Sequence, residues 1–129
     1  MLVPCVGAVV LDPDGRLLLV RRANPPAQGT WSLPGGRVEP GEDGPVAVAR
    51  EVLEETGLRV AVGAHVGSVR RAGPGGLVYD IADYRCTVTG GELRAGDDAS
   101  DVGWFTVAGL DHVDTSPDLV ATLRGWQVL

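Results

Sequence analysis

Glu51, Glu54 and Glu55 stand at i, i+3 and i+4, a spacing that gathers three carboxylates on one surface of a helix. Like charges so placed oppose helix formation, and the sequence therefore demands something that offsets them. Arg50, four residues before Glu54, neutralises part of the repulsion. A hard divalent cation held by carboxylate oxygens would neutralise it more completely. Glu42 lies upstream, where a loop punctuated by Pro34-Gly35-Gly36 and Pro40-Gly41 meets the helix. A carboxylate there favours the helix N-terminus and can reach the same metal region, directly or through water.

The helix that carries these groups is marked at both ends. Asp43 or Gly44 serves as its cap, and Pro45 sits in the first turn, where its missing N–H has no helical partner anyway. Gly57 supplies the stop. Val46, Ala49 and Leu53 recur at three and four, predicting an apolar stripe that seats the helix on a sheet with the acidic surface on the opposite side. Val3 to Leu11 and Leu17 to Arg22 read as an antiparallel pair of strands joined by the turn Asp12-Pro13-Asp14-Gly15. Arg59 to Arg71 and Leu77 to Val88 read as a second pair across Gly73-Pro74-Gly75-Gly76. Val102 to Val107 gives a further strand, and Pro117 to Arg124 a terminal helix with Leu119, Val120 and Leu123 inward. Runs of strand with two separated helices indicate an α/β fold, a mixed sheet covered on both faces.

At 129 residues the chain predicts one domain over 1–129 with a single core. A formal charge of −6 argues against binding bulk nucleic acid. The chain contains no Lys, so a cationic contact to phosphate must come from Arg or His, with backbone N–H groups as the uncharged alternative. Arg21 and Arg22, ending the second strand, are the candidates for substrate binding. Asp97, Asp98 and Asp101 form an acidic loop just before Trp104. Trp31, Tyr79, Tyr84, Trp104 and Phe105 are expected in core roles, and His65 and His112 in structural ones. Cys5 and Cys86 have no metal-binding spacing and read as reduced thiols. No basic leader with a cleavage site and no apolar run near the ~20 residues of a membrane span occurs, which predicts a cytoplasmic protein without membrane contact. A monomer and a homodimer both stay open.

The frame as a whole is Gly36, five residues, Glu42, seven residues, then Arg50-Glu51-Val52-Leu53-Glu54-Glu55-Thr56-Gly57-Leu58. It resembles the Nudix box, the signature of hydrolases acting on nucleoside diphosphates linked to another moiety, and every specified position matches. The run Gly29-Thr30-Trp31-Ser32-Leu33-Pro34-Gly35-Gly36 is similar to the usual entry into that box, and Asp101-Val102-Gly103-Trp104-Phe105 to a late strand common in the family. The resemblance implies the α/β/α Nudix sandwich, a mixed β-sheet between helices. It also implies Mg²⁺, with Mn²⁺ as a substitute, and a nucleotide or nucleoside-diphosphate-linked small molecule as partner.

A diphosphate linkage repels an incoming water, so its cleavage needs cations to neutralise charge and a base to orient the nucleophile. By resemblance, Glu51, Glu54 and Glu55 are assigned to the metal, with Gly36 and Glu42 added to that set. Arg50 orients the carboxylates. The general base in the family is sometimes a box Glu and sometimes an acid in a later loop, which makes Glu51, Glu54 and Asp98 the catalytic candidates beside Arg50. The chain is as compact as mutator-type members, and the expected reaction is nucleoside triphosphate to monophosphate plus pyrophosphate. Near the final helix, where those enzymes often carry an Asn that reads the purine, this chain has Ser116 and Asp118. The alternatives are an ADP-ribose or nucleotide-sugar pyrophosphatase, whose usual additional N-terminal structure is missing here, and a noncatalytic nucleotide-sensing Nudix domain, a type that commonly loses box carboxylates.

Overall fold

The computed structural model describes residues 1–25, 27–96 and 98–129. Strand β1 (Leu2–Val10) runs through a four-stranded sheet in the order β4-β1-β6-β5, where β4 is Gly35–Arg37, β5 is Leu58–Ala72 and β6 is Val78–Gly91. The sheet is mixed, since β1 pairs parallel with β6 and antiparallel with β4. Strand β2 (Leu17–Arg22) belongs to a second, antiparallel sheet, between β3 (Trp31–Ser32) and β7 (Ala99–Phe105). Helix α1 spans Gly44–Thr56 and helix α2 Leu119–Gly125.

The two helices cover opposite faces, and β1 shows why. With a strand's period of two, Val6, Ala8 and Val10 pack with Ala47, Val48 and Val52 of α1, whereas Val9 joins Leu119 and Leu123 of α2. Leu18 goes to the first cluster, and Leu17 and Leu19 to the second. Strands buried on both faces read as continuous apolar runs, which is how β1 and β2 are written.

The expected pairing of β1 with β2 does not form. The turn is present, with the Arg16 and Asp14 N–H groups donating to Asp12 Oδ1 at 2.8 and 3.0 Å. Only a Leu11–Leu17 bridge links the two strands, because both hydrogen-bonding edges of β1 are taken by β4 and β6. The stretch read as a loop before the box also contains β3 and β4, two strands too short to leave an alternating pattern.

Helix α1 begins and ends where the sequence marks it. Asp43 accepts from the Val46 N–H at 2.9 Å, and Gly57 takes the left-handed conformation (φ 75°) that closes the helix. Its packed face is not the expected one. Val46 and Leu53 are exposed, and the buried stripe is Ala47, Val48, Val52 and Thr56. Thr56 fits there because its hydroxyl donates to the Val52 carbonyl at 2.7 Å and accepts from the Leu58 N–H at 3.2 Å.

The aromatic residues hold structural positions. Trp31 and Phe105 meet edge to face at 4.8 Å, Tyr84 and Trp104 lie against the α1 cluster, and the Arg37 guanidinium lies over the Tyr79 ring. His65 shares a 2.9 Å hydrogen bond with Ser68. Both cysteines are free thiols, and burial pushes Cys86 up to about 11, which makes it unreactive. Among the described residues no helix is long and apolar enough to cross a membrane.

Candidate functional site

Rotating the buried stripe of α1 to Val48, Val52 and Thr56 changes where the carboxylates fall. Scaffold and chemistry do not use opposite helix faces, because Glu51 and Glu55 flank the buried stripe and turn into a cleft of about 330 Å³ at the β4 edge. Arg22, Gly36 and Asp98 line the same cleft. Glu54 points away from it, with its side chain 58% exposed against 14% for Glu51.

Glycines let the helix come this close. A side chain on Gly36 would overlap the Glu51 carboxyl group, and one on Gly35 would overlap the Val6 carbonyl. The bare backbone of Gly35 donates its N–H to Glu55 Oε2 at 2.9 Å. Strand β4 is thereby fixed to α1 through the Glu55 carboxylate as well as through apolar packing.

Arg50 organises the carboxylates on the outer side. Its Nε and Nη2 donate to the two oxygens of Glu42 at 2.7 and 2.8 Å, a bidentate pair. Its Nη1 donates to Glu51 at 3.0 Å and Glu54 at 3.2 Å, and Nη2 also reaches the Arg37 carbonyl at 3.1 Å. Glu39 lies 3.7 Å from the same guanidinium, a member of the network that its isolated position in the loop gave no reason to expect. The Glu42 carboxyl is held down to about 2 by Arg50 and by the Glu39 N–H. Both its oxygens accept from Arg50.

In the cleft the balance reverses. Burial pushes the Glu55 carboxyl up to about 8, reinforced by Glu51 and Asp98 and opposed by the Gly35 N–H and Arg22. Burial also raises Glu51, against the pull of Arg50, and Glu54 and Glu39 add to the rise. Two crowded, half-buried acids of raised proton affinity are groups that a cation would stabilise in their ionised form. Among the described residues no three His, Cys, Asp or Glu side chains are gathered at metal-holding distance. Mg²⁺ does not require three, since it is commonly held by one or two carboxylates with water and phosphate oxygens completing the shell. The hard oxygen donors of Glu51 and Glu55 fit that chemistry.

The remaining candidates separate cleanly. Arg22 is in the cleft, whereas Arg21 donates from Nε to the Gly29 carbonyl at 3.1 Å on the outside. Asp98 is in the cleft, Asp101 accepts from the Val102 N–H at 2.8 Å on β7, and Asp97 lies outside the described residues. Asn24, Ser32 and Leu33 also line the cleft and carried no motif of their own. Only their nearness to the box hinted at them.

An acidic helix docked beside a glycine-floored cleft, on a mixed sheet with helices on both faces, defines the class of this protein as an α/β/α sandwich with a box-type site. The family model described as NUDIX domain matches residues 1–123, and the chain belongs to that family. It is 44% identical over 101 residues to a MutT-like protein of Streptomyces ambofaciens, an alignment that covers 78% of this chain and 62% of that protein. It is 40% identical over 121 residues to the putative 8-oxo-dGTP diphosphatase 2 of Mycobacterium tuberculosis, covering 84% and 82%. Other relatives carry the names ADP-ribose pyrophosphatase and CTP pyrophosphohydrolase. Among solved structures, a MutT NUDIX hydrolase from Burkholderia pseudomallei superposes with a TM-score of 0.85 at 28% identity, covering 96% of this chain and 97% of that one.

Proposed function

We propose that the protein is a Mg²⁺-dependent hydrolase that converts a nucleoside triphosphate and water to a nucleoside monophosphate and pyrophosphate. The observation that carries this reading is the pairing of Glu51 and Glu55 in one cleft with Arg22 and Asp98, both acids raised by burial. Glu51 and Glu55 would hold the metal, which when bound supplies neutralisation of the phosphate charge. Arg22, on the cleft wall, holds a phosphate oxygen. Arg50 keeps Glu51 in place and draws Glu42 and Glu54 out of the way. Asp98, on the cleft wall and not engaged by Arg50, takes the proton of the attacking water as one P–O bond forms and one phosphoanhydride P–O bond breaks. The names 8-oxo-dGTP diphosphatase and CTP pyrophosphohydrolase among relatives support a triphosphate, and ADP-ribose pyrophosphatase among them names the competing linkage.

Chromatography of products from a panel of normal and oxidised nucleoside triphosphates, ADP-ribose and nucleotide sugars tests this, with Glu55→Gln and chelator as controls. A monophosphate with pyrophosphate, absent in both controls, is the expected result. A monophosphate with a sugar phosphate would replace the substrate class, and turnover indifferent to Glu55→Gln would remove the site.

A further inference from the structure

Strand β6 outlasts its neighbour β1, and a cavity opens where it does. Strand β1 pairs with β6 as far as Val10 and Cys86, whereas β5 goes on pairing with β6 through Thr87 and Val88 to Gly91. Past Val10 the chain leaves that sheet, makes the turn at Asp12 to Gly15 and enters β2 in the other sheet, with the Leu11–Leu17 bridge linking the two strands. The two sheets therefore part at this end. The gap is a cavity of about 480 Å³, larger than the acidic cleft and within the size range of small-molecule sites.

None of its lining residues lines the acidic cleft. Trp104 stands near the end of β7 far from Asp98, roughly 20 Å away along an extended strand. Most of the wall is apolar: Leu58 is buried, Leu11 and Trp104 are half-buried, and Val88 is exposed. The charges all come from the turn, as Asp12, Asp14 and Arg16. Asp12 is engaged within it, one oxygen accepting from the Asp14 and Arg16 N–H groups and the other from Arg16 Nε at 2.6 Å, and its side chain is only 9% exposed. Asp14 is held less closely, its carboxylate 3.7 Å from Arg16 and its side chain 80% exposed. Two acids against one arginine leave one net negative charge, and Asp14 is where a ligand can reach it.

We propose that this cavity is a second binding site, and that it takes a small amphipathic cation: an aromatic ring carrying an ammonium group on a short flexible arm. The ring covers apolar surface of Trp104, Val88 and Leu11 that water otherwise meets, and the ammonium group pairs with Asp14. The Trp104 indole suits such a ligand twice, since it packs with aromatic rings and attracts cations. By holding the turn, Asp12 keeps Asp14 beside the apolar wall. A phosphate-bearing occupant is disfavoured, because the one cation among the lining residues, Arg16, is already engaged by both acids. The site is thus opposite in charge preference to the acidic cleft, and its occupancy does not depend on hydrolysis.

The test is ¹⁵N NMR titration of the full chain at pH 7.5 with tryptamine, a cation, and with indole-3-propionate, an anion on the same ring system. Tryptamine is expected to shift the Thr87, Val88 and Trp104 signals and to bind about 10-fold more tightly than the propionate, because an exposed carboxylate attracts the one and repels the other. In Asp14→Asn that preference should shrink to about twofold. Val88→Arg, which sets a cation at an exposed position of the wall, should weaken tryptamine by about 10-fold or more. Chelator and Glu55→Gln should leave tryptamine binding unchanged, since the metal region lies elsewhere. Equal affinities for the two probes, a preference retained in Asp14→Asn, or shifts centred on Arg22, Gly36 and Asp98 would overturn the assignment. Should Val88→Arg fail to fold, Asp14→Asn on the exposed turn decides alone. Tryptamine binding without nucleotide hydrolysis supports this site while sinking the hydrolase, and hydrolysis without tryptamine binding does the opposite.

Discussion

Arg50 is the residue on which most of the site's order depends, since one guanidinium contacts Glu39, Glu42, Glu51 and Glu54. A planar fork serves four carboxylates in a way a point charge cannot. Arg50→Lys is therefore expected to leave a folded protein with activity lower by about 10- to 100-fold, the usual effect of losing a group that orients ligands. Steady-state kinetics checks it, and an unchanged kcat would deny Arg50 an orienting role. Glu55 yields a prediction with a definite sign. Its folded-state value of about 8 lies above its ordinary 4.5, so the folded protein holds that proton more tightly than the unfolded chain. The associated stability is complete below about 4.5 and is lost as pH rises through about 8. In chelator, the melting temperature should fall over that window, less so in Glu55→Gln, and Mg²⁺ should raise it more at pH 8 than at pH 6 because the metal binds the ionised form. An identical pH slope in Glu55→Gln would show that this carboxyl is not the group responsible.

At the scale of elements, helix α1 divides what its sequence could and could not tell. Its ends were legible because caps are local chemistry: Asp43 and Gly57 act within one turn. Its face was not, because a stripe of Val46, Ala49 and Leu53 satisfies helical spacing as well as the true Ala47, Val48, Val52 and Thr56. The rule that charged residues face water favoured the wrong stripe, since the true one is bordered by Glu51 and Glu55. The rule fails here because Glu51 and Glu55 are half-buried where they line the cleft. Urea denaturation separates the faces: Val52→Ala should cost about 2 kcal/mol, and Val46→Ala and Leu53→Ala about 0.5 kcal/mol or less each. Comparable losses at positions 46 and 52 would mean that the helix packs on another face in solution.

The whole molecule is assembled around the two ends of α1. Arg50, at mid-helix, ties the approach to its start, Glu42 and the Arg37 carbonyl, to the helix. At its end, the Thr56 and Glu55 carbonyls accept from the N–H groups of Arg94 and Gly96, in the segment that leads to Asp98. Such long-range bonds lie beyond sequence reading, as does the splitting of β1 and β2 between two sheets, because both are decided by which edges other elements have already filled. The family was nonetheless legible, since the box spacing concentrates the acids on one short helix. Gly96 tests whether the distant segment matters: a side chain there would overlap the Glu54 carbonyl, so Gly96→Ala must move the chain that positions Asp98. A displacement of that order should lower kcat by up to about 100-fold while substrate binding and the fold persist. If Asp98 is the group affected, Asp98→Asn and the Gly96→Ala/Asp98→Asn double variant should be equally slow, because a base already removed cannot be misplaced. Fully multiplicative losses would instead assign the effect of Gly96 to α1 itself and free Asp98 of the role of base.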